Sequence, residues 1–142
     1  MGTIWVLVAN QAEAAIYSMD RLRGSLVPVE TLRHAAGRAR AQDLISDAPG
    51  RVQDRVGPAR HSMEPDVGFK AEETRRFARK IVDNLMLGLQ QENFERLILV
   101  AAPAFLGVIR KELSAQLAEV VIEEISKDMV GRDMKEIQEQ MS

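Results

Sequence analysis

The feature that most constrains the fold is a pair of short, almost continuously apolar runs. They read TIWVLVA at positions 3–9 and RLILVAA at positions 96–102. β-Branched and aromatic side chains at this density are typical of strands. Successive side chains of a strand point to opposite faces of its sheet, so a run without polar positions predicts a strand covered on both faces. We therefore expect these two strands to be central in a sheet with helices on both sides.

Weaker patterns predict the remaining elements. These are strands at 12–19, 26–33 and 119–126, and helices at 38–47, around the residues Phe77, Ile81, Leu85 and Leu89, after Pro103, and at about 132–140. The longest helix is predicted by apolar residues that recur every four positions. Pro28 places its strand at an edge of the sheet, because proline cannot donate a hydrogen bond to a ladder.

The order of the elements predicts the topology. Three strands joined by short turns are expected to be antiparallel, whereas each later strand arrives after a helix and can lie parallel to its neighbour. The prediction is an α/β, ribonuclease H-like three-layer domain with a mixed five-stranded sheet of order 3-2-1-4-5. Strands 1, 2 and 3 are antiparallel, and strands 1, 4 and 5 are parallel. Residues 1–142 form a single domain, with a long loop rich in Pro, Gly and Arg at about 46–68.

Composition excludes several classes of chemistry. The chain has no cysteine, which excludes disulfides, thiolate metal sites and cysteine nucleophiles. Its net charge of -2 provides no general attraction to nucleic acid or membrane. No segment approaches the ~20 apolar residues that span a bilayer, and the N-terminus lacks the basic region of a signal peptide. We expect a cytoplasmic protein without membrane insertion and, in the absence of nucleotide-binding motifs, without a cofactor.

The expected topology also predicts where a ligand or partner binds. In open α/β sheets, ligands bind at the carboxyl ends of parallel strands, next to the switch in strand order. Asn10 and Pro103 should meet at that switch, with Lys127 and Asp128 on the same edge. Ribonuclease H-like nucleases hold two metal ions with carboxylates, whereas the first strand here contains no Asp or Glu. The sequence therefore predicts a binding surface without catalytic residues or a metal site.

The middle of the chain contains a second group of candidates, and each has a plain structural alternative. The arginines suit bidentate contacts with phosphates, or lie in a solvated loop with mixed ion pairs. The carboxylates suit acid–base chemistry or cation binding, or end a helix before a turn. The two histidines, His34 and His61, suit a general base or a metal ligand, or make loop hydrogen bonds. The candidates are Arg38, Arg40, Arg51, Arg55 and Arg60, the pair Asp43 and Asp47, and His61 with Glu64.

Five segments, in chain order, resemble one bacterial family. They read TIWVLVANQAEAAIYSMD at 3–20, DLISDAPGR at 43–51, RHSMEP at 60–65, ERLILVAAPAFLGVIRKEL at 95–113 and EEISKDM at 123–129. Together they resemble the host attachment protein family, whose members are described as required for attachment to host cells. The resemblance implies an α/β domain similar to the middle domain of eukaryotic release factors and Pelota, and with it a role connected with translation.

The chain departs from that family's pattern at two places. The family usually has Asp after the first strand, where this chain has Asn10, and Thr-His after its Lys-Asp-Leu segment, where this chain continues with Met129, Val130 and Gly131. The Gly-Gly-Gln tripeptide of release factors is also absent, so peptide release is not expected. Activities that need these side chains are therefore not expected here.

Three hypotheses about function follow. The leading one is a non-catalytic binding or adaptor domain that acts indirectly in host attachment through an unknown protein partner. The first alternative is a ribosome- or RNA-associated protein that binds phosphates through the Arg-rich loop. The second is a hydrolase that uses the loop carboxylates and His61. Met129, Met134 and Met141 either pack in the core or form a partner-binding face, which leaves room for a homodimer through the C-terminal helix.

Overall fold

The structure, a computed structural model, describes residues 2–20, 24–34 and 63–141. The elements in this part are β1 Ile4–Ala9, β2 Glu13–Met19, β3 Val27–Arg33, α1 Met63–Gln90, β4 Arg96–Ala101, α2 Pro103–Glu112, α3 Ala115–Val120, β5 Val121–Ser126 and α4 Met134–Glu139. None of these helices combines the length and the apolar character needed to cross a bilayer.

The five strands form one open mixed sheet of order β3-β2-β1-β4-β5. β1 is antiparallel to β2 and parallel to β4, and the outer pairs are antiparallel β2–β3 and parallel β4–β5. The predicted strand order and directions are confirmed. Every residue of β1 is buried, and Arg96 is the single exposed residue of β4. Burial on both faces explains why β1 and the rest of β4 contain no polar residue.

Alternate side chains of the sheet enter two separate cores. The first core packs the sheet against α1, α2 and α3, and includes Trp5, Leu7, Leu99, Phe77, Ile81, Leu85, Phe105 and Leu117. The second packs the opposite face against the C-terminal segment, and includes Val6, Val8, Ile98, Val100, Met129, Ile137 and Met141. Met129 and Met141 are thus core residues, whereas Met134 is exposed. Core packing therefore accounts for two of the three C-terminal methionines.

The start of α1 differs from the sequence prediction. α1 begins at Met63, so positions 63–68 are helical although they were expected to belong to the long loop. Pro65 is compatible with this start, because the N–H groups of a first helical turn have no intrahelical partner and proline removes one of them at no cost. Helix-breaking residues near a helix start therefore led the prediction to place the boundary too late.

The segment after α2 also differs from the prediction. A strand was expected at 119–126, but β5 begins at Val121 and a short helix, α3, precedes it. Ser114 caps α3, and its Oγ accepts a hydrogen bond from the backbone N–H of Leu117 at 3.2 Å. α3 is too short to show a helical period, so the capping serine was its one sequence signal.

Both outer strands have irregularities that disfavour pairing with another chain. β3 contains Pro28 at the sheet edge, as predicted, and its register with β2 shifts between Ile16 and Tyr17. The register between β4 and β5 shifts between Leu97 and Ile98. Proline and bulges at sheet edges interrupt the row of backbone groups to which another strand would bind.

Candidate functional site

Four of the five strands end at the same edge of the sheet. β1, β4 and β5 are parallel, and β3 has the same direction because β1 and β3 are both antiparallel to β2. We call this the carboxyl edge, and it comprises Asn10, His34, Pro103, Lys127 and Asp128, each of which follows a strand directly or after one residue. The topology therefore brings together the four edge residues that the sequence selected, and adds His34.

Asn10 closes the turn between β1 and β2. Its side-chain Oδ1 accepts hydrogen bonds from the backbone N–H groups of Ala12 at 2.8 Å and Glu13 at 3.0 Å. Its own backbone N–H donates to the carbonyl of Glu13 at 2.9 Å. Asparagine readily makes such side-chain-to-backbone turns. Because the turn occupies Oδ1, the amide nitrogen is the group that Asn10 has available for the rest of the edge.

Asp128 accepts a hydrogen bond from that amide nitrogen. Asn10 Nδ2 lies 3.3 Å from Oδ1 and 3.2 Å from Oδ2 of Asp128. Asp128 Oδ1 also accepts a hydrogen bond from the backbone N–H of Val130 at 3.1 Å. The Asn10–Asp128 bond therefore fastens the β1–β2 turn to the segment after β5. The amide donor at position 10 neutralises no charge, but it satisfies a carboxylate that another carboxylate at that position would repel.

Lys127 bonds to a different part of the molecule. Its Nζ donates to Oε1 of Gln140 at 2.7 Å, just beyond the end of α4. In the same helix, Gln138 Nε2 donates to the carbonyl of Gly24 at 2.6 Å. α4 is therefore attached both to the carboxyl edge and to Gly24. The segment from Asp128 to Gln140 thus has hydrogen bonds to other parts of the chain near both of its ends.

α2 begins at the carboxyl edge without a side-chain cap. Its N-cap residue is Ala102, whose backbone N–H donates to the carbonyl of Ala9 at 3.2 Å. Pro103 occupies the first turn of the helix, as predicted. Pro103 and Ala104 are both exposed. The switch between β1 and β4 therefore presents a small, uncharged surface.

His34 is the edge residue that the sequence did not select. Its backbone N–H donates to the carbonyl of Ala12 at 2.9 Å, and its Nδ1 lies 2.8 Å from the carbonyl oxygen of Gln11. Because a carbonyl oxygen only accepts, Nδ1 carries a hydrogen. The imidazole stacks on the ring of Phe77 in α1, with centroids 4.9 Å apart and planes inclined by 7°. The expected loop hydrogen bond is present, but the ring also packs against the long helix.

The other ring nitrogen of His34 faces a carboxylate. Nε2 lies 3.9 Å from Oε1 of Glu73, also in α1, and it is buried without a hydrogen-bond partner. Glu73 and Phe77 are four positions apart and therefore share a face of their helix. That spacing was the available sequence signal in α1, and the predicted direction of β3 already placed His34 at this edge. The sequence did not show that the two meet there.

Most candidates from the middle of the chain lie outside the described residues. They are Arg38, Arg40, Arg51, Arg55, Arg60, Asp43, Asp47 and His61. Glu64 falls in the first turn of α1, and its side chain is also outside the described part. The phosphate-binding and hydrolase hypotheses depend on these residues and stay predictions.

Several acidic side chains of the described part pair with arginines. Arg110 contacts Glu124 at 2.7 Å, and Arg79 contacts Glu112 at 3.2 Å. Within residues 2–20, 24–34 and 63–141, no group of three or more His, Asp or Glu side chains is placed to hold a metal ion.

Comparison of this sequence with known proteins identifies a related protein and a protein family. The chain is similar to an uncharacterized protein of Rickettsia prowazekii (strain Madrid E), with 31% identity over 78 residues. That match covers 54% of this chain and 52% of the relative, so it spans about half the length of each. The comparisons lend no support to the resemblance with release factors and Pelota. A family model described as "Protein required for attachment to host cells" matches residues 5–141. This match extends from β1 to the end of the described part, and the chain therefore belongs to the family of proteins required for attachment to host cells.

Proposed function

We propose that this chain is a non-catalytic binding domain, and that it acts in host attachment through a protein partner that contacts the carboxyl edge. Family membership supports a role in attachment. The observation that carries the rest is the Asn10–Asp128 hydrogen bond, which joins two loops of the edge that are distant in sequence. A surface whose loops are held by internal bonds is suited to recognition.

The physical reason is preorganisation. Each side chain that must be immobilised on association costs about 0.5–1.5 kcal/mol, so loops that are already fixed reduce this cost. The edge exposes Gln11, Ala12, Pro103 and Ala104. These side chains are small or uncharged, whereas Lys127 and Asp128 on the same edge are exposed and charged. A partner that leaves these two at its rim can cover the uncharged side chains without desolvating an ion. The edge therefore combines a fixed backbone with uncharged side chains whose burial carries a small desolvation penalty.

The same bonds support a binding role over a catalytic one. A general base needs an acceptor within hydrogen-bond reach of the substrate proton. Asn10 Oδ1 and both carboxylate oxygens of Asp128 already accept hydrogen bonds from this chain. Their arrangement fits residues that position loops.

A pair of matched variants tests the proposal. Ala104→Arg places a long charged side chain on the carboxyl edge, whereas Gln91→Arg places the same side chain at an exposed position beyond the C-terminal end of α1. Each variant replaces the native protein in its own bacterium, and attachment to host cells is counted. The tagged proteins are also used to capture partners from the same cells. Ala104→Arg should lose both attachment and the captured partner, and Gln91→Arg should keep both.

Equal attachment and equal capture by the two variants would refute the carboxyl edge as the partner surface. Circular dichroism melts of both variants verify that they are folded. Capture at low and high salt, with and without ribonuclease, separates the alternatives. Ribosomal material that is lost with salt would support the phosphate-binding hypothesis instead. We further propose that the protein acts from the cytoplasm, and fractionation of the native cells tests this location.

A further inference from the structure

We propose that His34 and Glu73 form a proton-dependent clasp between the carboxyl edge and α1, made by largely buried side chains and not by the exposed residues to which the partner is proposed to bind. His34 follows β3, and Glu73 lies in α1 four residues before Phe77, on which the imidazole stacks. Nδ1 donates a hydrogen bond to the carbonyl oxygen of Gln11, 2.8 Å away. The ring is thus fixed on one face and at one nitrogen, which leaves Nε2 as the ring atom that can gain or lose a proton.

Nε2 faces the carboxylate of Glu73. It is buried and without a hydrogen-bond partner, and it lies 3.9 Å from Oε1 of Glu73. The two side chains are only 12% and 17% exposed. In the neutral ring Nε2 is an acceptor that faces another acceptor. Once protonated, it is a donor that faces a carboxylate, and a small side-chain movement completes a charge-assisted hydrogen bond.

The neighbouring charges in the described part leave Oε1 of Glu73 for His34. The other oxygen of Glu73 contacts Arg76 at 3.4 Å, and Arg76 also contacts Glu72 at 3.7 Å. On the strand side, Arg33 is exposed and stands opposite Glu13 in the register of β2 and β3. The β1–β2 turn contributes a backbone carbonyl to the ring rather than a charge.

The direction of the effect follows from the chemistry of imidazole. Histidine ordinarily changes charge near pH ~6.5. Because Nδ1 already carries one hydrogen, only a ring with a second hydrogen donates through Nε2, so the clasp requires that added proton and is absent from the neutral ring. Because the same ring bonds to Gln11, beside Asn10, the clasp joins α1 to the turn that carries the Asn10–Asp128 bond. Acidification should therefore fix α1 more firmly to the carboxyl edge.

Amide hydrogen exchange of the full chain tests the clasp. Protection factors, corrected for the intrinsic pH dependence of exchange, are measured at pH 8 and pH 5.5 for the amides of residues 73–80. In the wild type they should rise by about fivefold on acidification, the scale of a single net hydrogen bond to a charged group at imperfect distance. Glu73→Gln supplies an amide donor to neutral Nε2 at either pH, so its protection should be insensitive to pH.

Glu72→Gln is the matched control, because Glu72 is one position away and contacts arginines rather than His34. It should retain the wild-type rise in protection. A Glu73→Gln protein with that same rise would overturn the proposal. Nitrogen-15 NMR of the ring gives a second test, with the His61→Gln variant used to assign the signals. At pH 8 the hydrogen should be on Nδ1, and a neutral ring with its hydrogen on Nε2 would also overturn the clasp.

Discussion

Substitution of Gly88 by alanine tests the packing of the first core most directly. Gly88 lies in α1, and a β-carbon added there falls 2.6 Å from Cη2 and 2.7 Å from Cζ3 of Trp5. The same carbon would be 3.3 Å from Cε1 of Phe94. Ordinary carbon–carbon contacts lie near ~3.5–4.0 Å, so the tryptophan ring or the helix must move by close to an ångström. Trp5 is buried and stacks on Phe94 with centroids 4.5 Å apart, so its ring has little freedom to move.

Two opposing effects set the magnitude. Alanine is favoured over glycine in a helix interior by about 1 kcal/mol. Extra atoms in a well-packed core cost about 1–3 kcal/mol, and two contacts this short belong in the upper part of that range. The free energy of unfolding of Gly88→Ala should therefore fall by about 1–2 kcal/mol.

Urea denaturation followed by far-ultraviolet circular dichroism measures this change. The chain also provides a matched control, because a β-carbon at Gly107 of α2 meets no atom within 4 Å. Gly107→Ala should gain the helix preference without a clash and stabilise the protein by about 0.5–1 kcal/mol. If Gly88→Ala stabilised the protein as Gly107→Ala does, the packing of Trp5 against α1 described above would be wrong. Fluorescence of the single tryptophan independently reports any displacement of that ring.

Three further substitutions have signs that the structure determines. Glu92 has a φ of 62° just after α1, where glycine is usual, so Glu92→Gly should stabilise the protein by about 0.5–1 kcal/mol in urea denaturation. Ser114→Ala removes the cap that accepts the N–H of Leu117 and should cost about 1 kcal/mol in thermal melts. Asn10→Asp keeps the turn but places a carboxylate against Asp128; it should destabilise the protein by about 1 kcal/mol at pH 7 and by less at pH 4, where carboxylates become protonated.

The central part of the fold was predictable because the residue types within each strand reveal its burial and its place in the sheet. A strand that is buried on both faces is depleted of polar residues, and the sequences of β1 and β4 show this at every position except the exposed Arg96. Pro28 marked an edge strand for an equally local reason. Once the order of strands and helices was known, connection rules left few arrangements of the sheet. The residues that end its parallel strands then followed, which is how Asn10, Pro103 and Asp128 were found.

The missed features depend on contacts between distant parts of the chain. α3 is a short helix that exists because Ser114 caps it and Leu117 reaches the core, and neither fact produces a visible period. The predicted directions of β1, β2 and β3 already place His34 at the carboxyl edge. Its contacts with Phe77 and Glu73 then require α1 to cross that same end of the sheet. Sequence spacing carries no information about such pairings until the topology is fixed.

The amide at position 10 determines whether the carboxyl edge is held by a neutral hydrogen bond or contains two facing carboxylates. A carboxylate there would face Asp128, and two adjacent carboxylates require a proton or a cation to lie together. The amide of Asn10 instead satisfies the turn with its oxygen and Asp128 with its nitrogen, so one uncharged side chain connects β1, β2 and the segment after β5. The edge is consequently ordered by bonds within the chain before any partner arrives. Such an arrangement favours recognition through shape and backbone position, and this is why we propose an interaction surface at the residues around this bond.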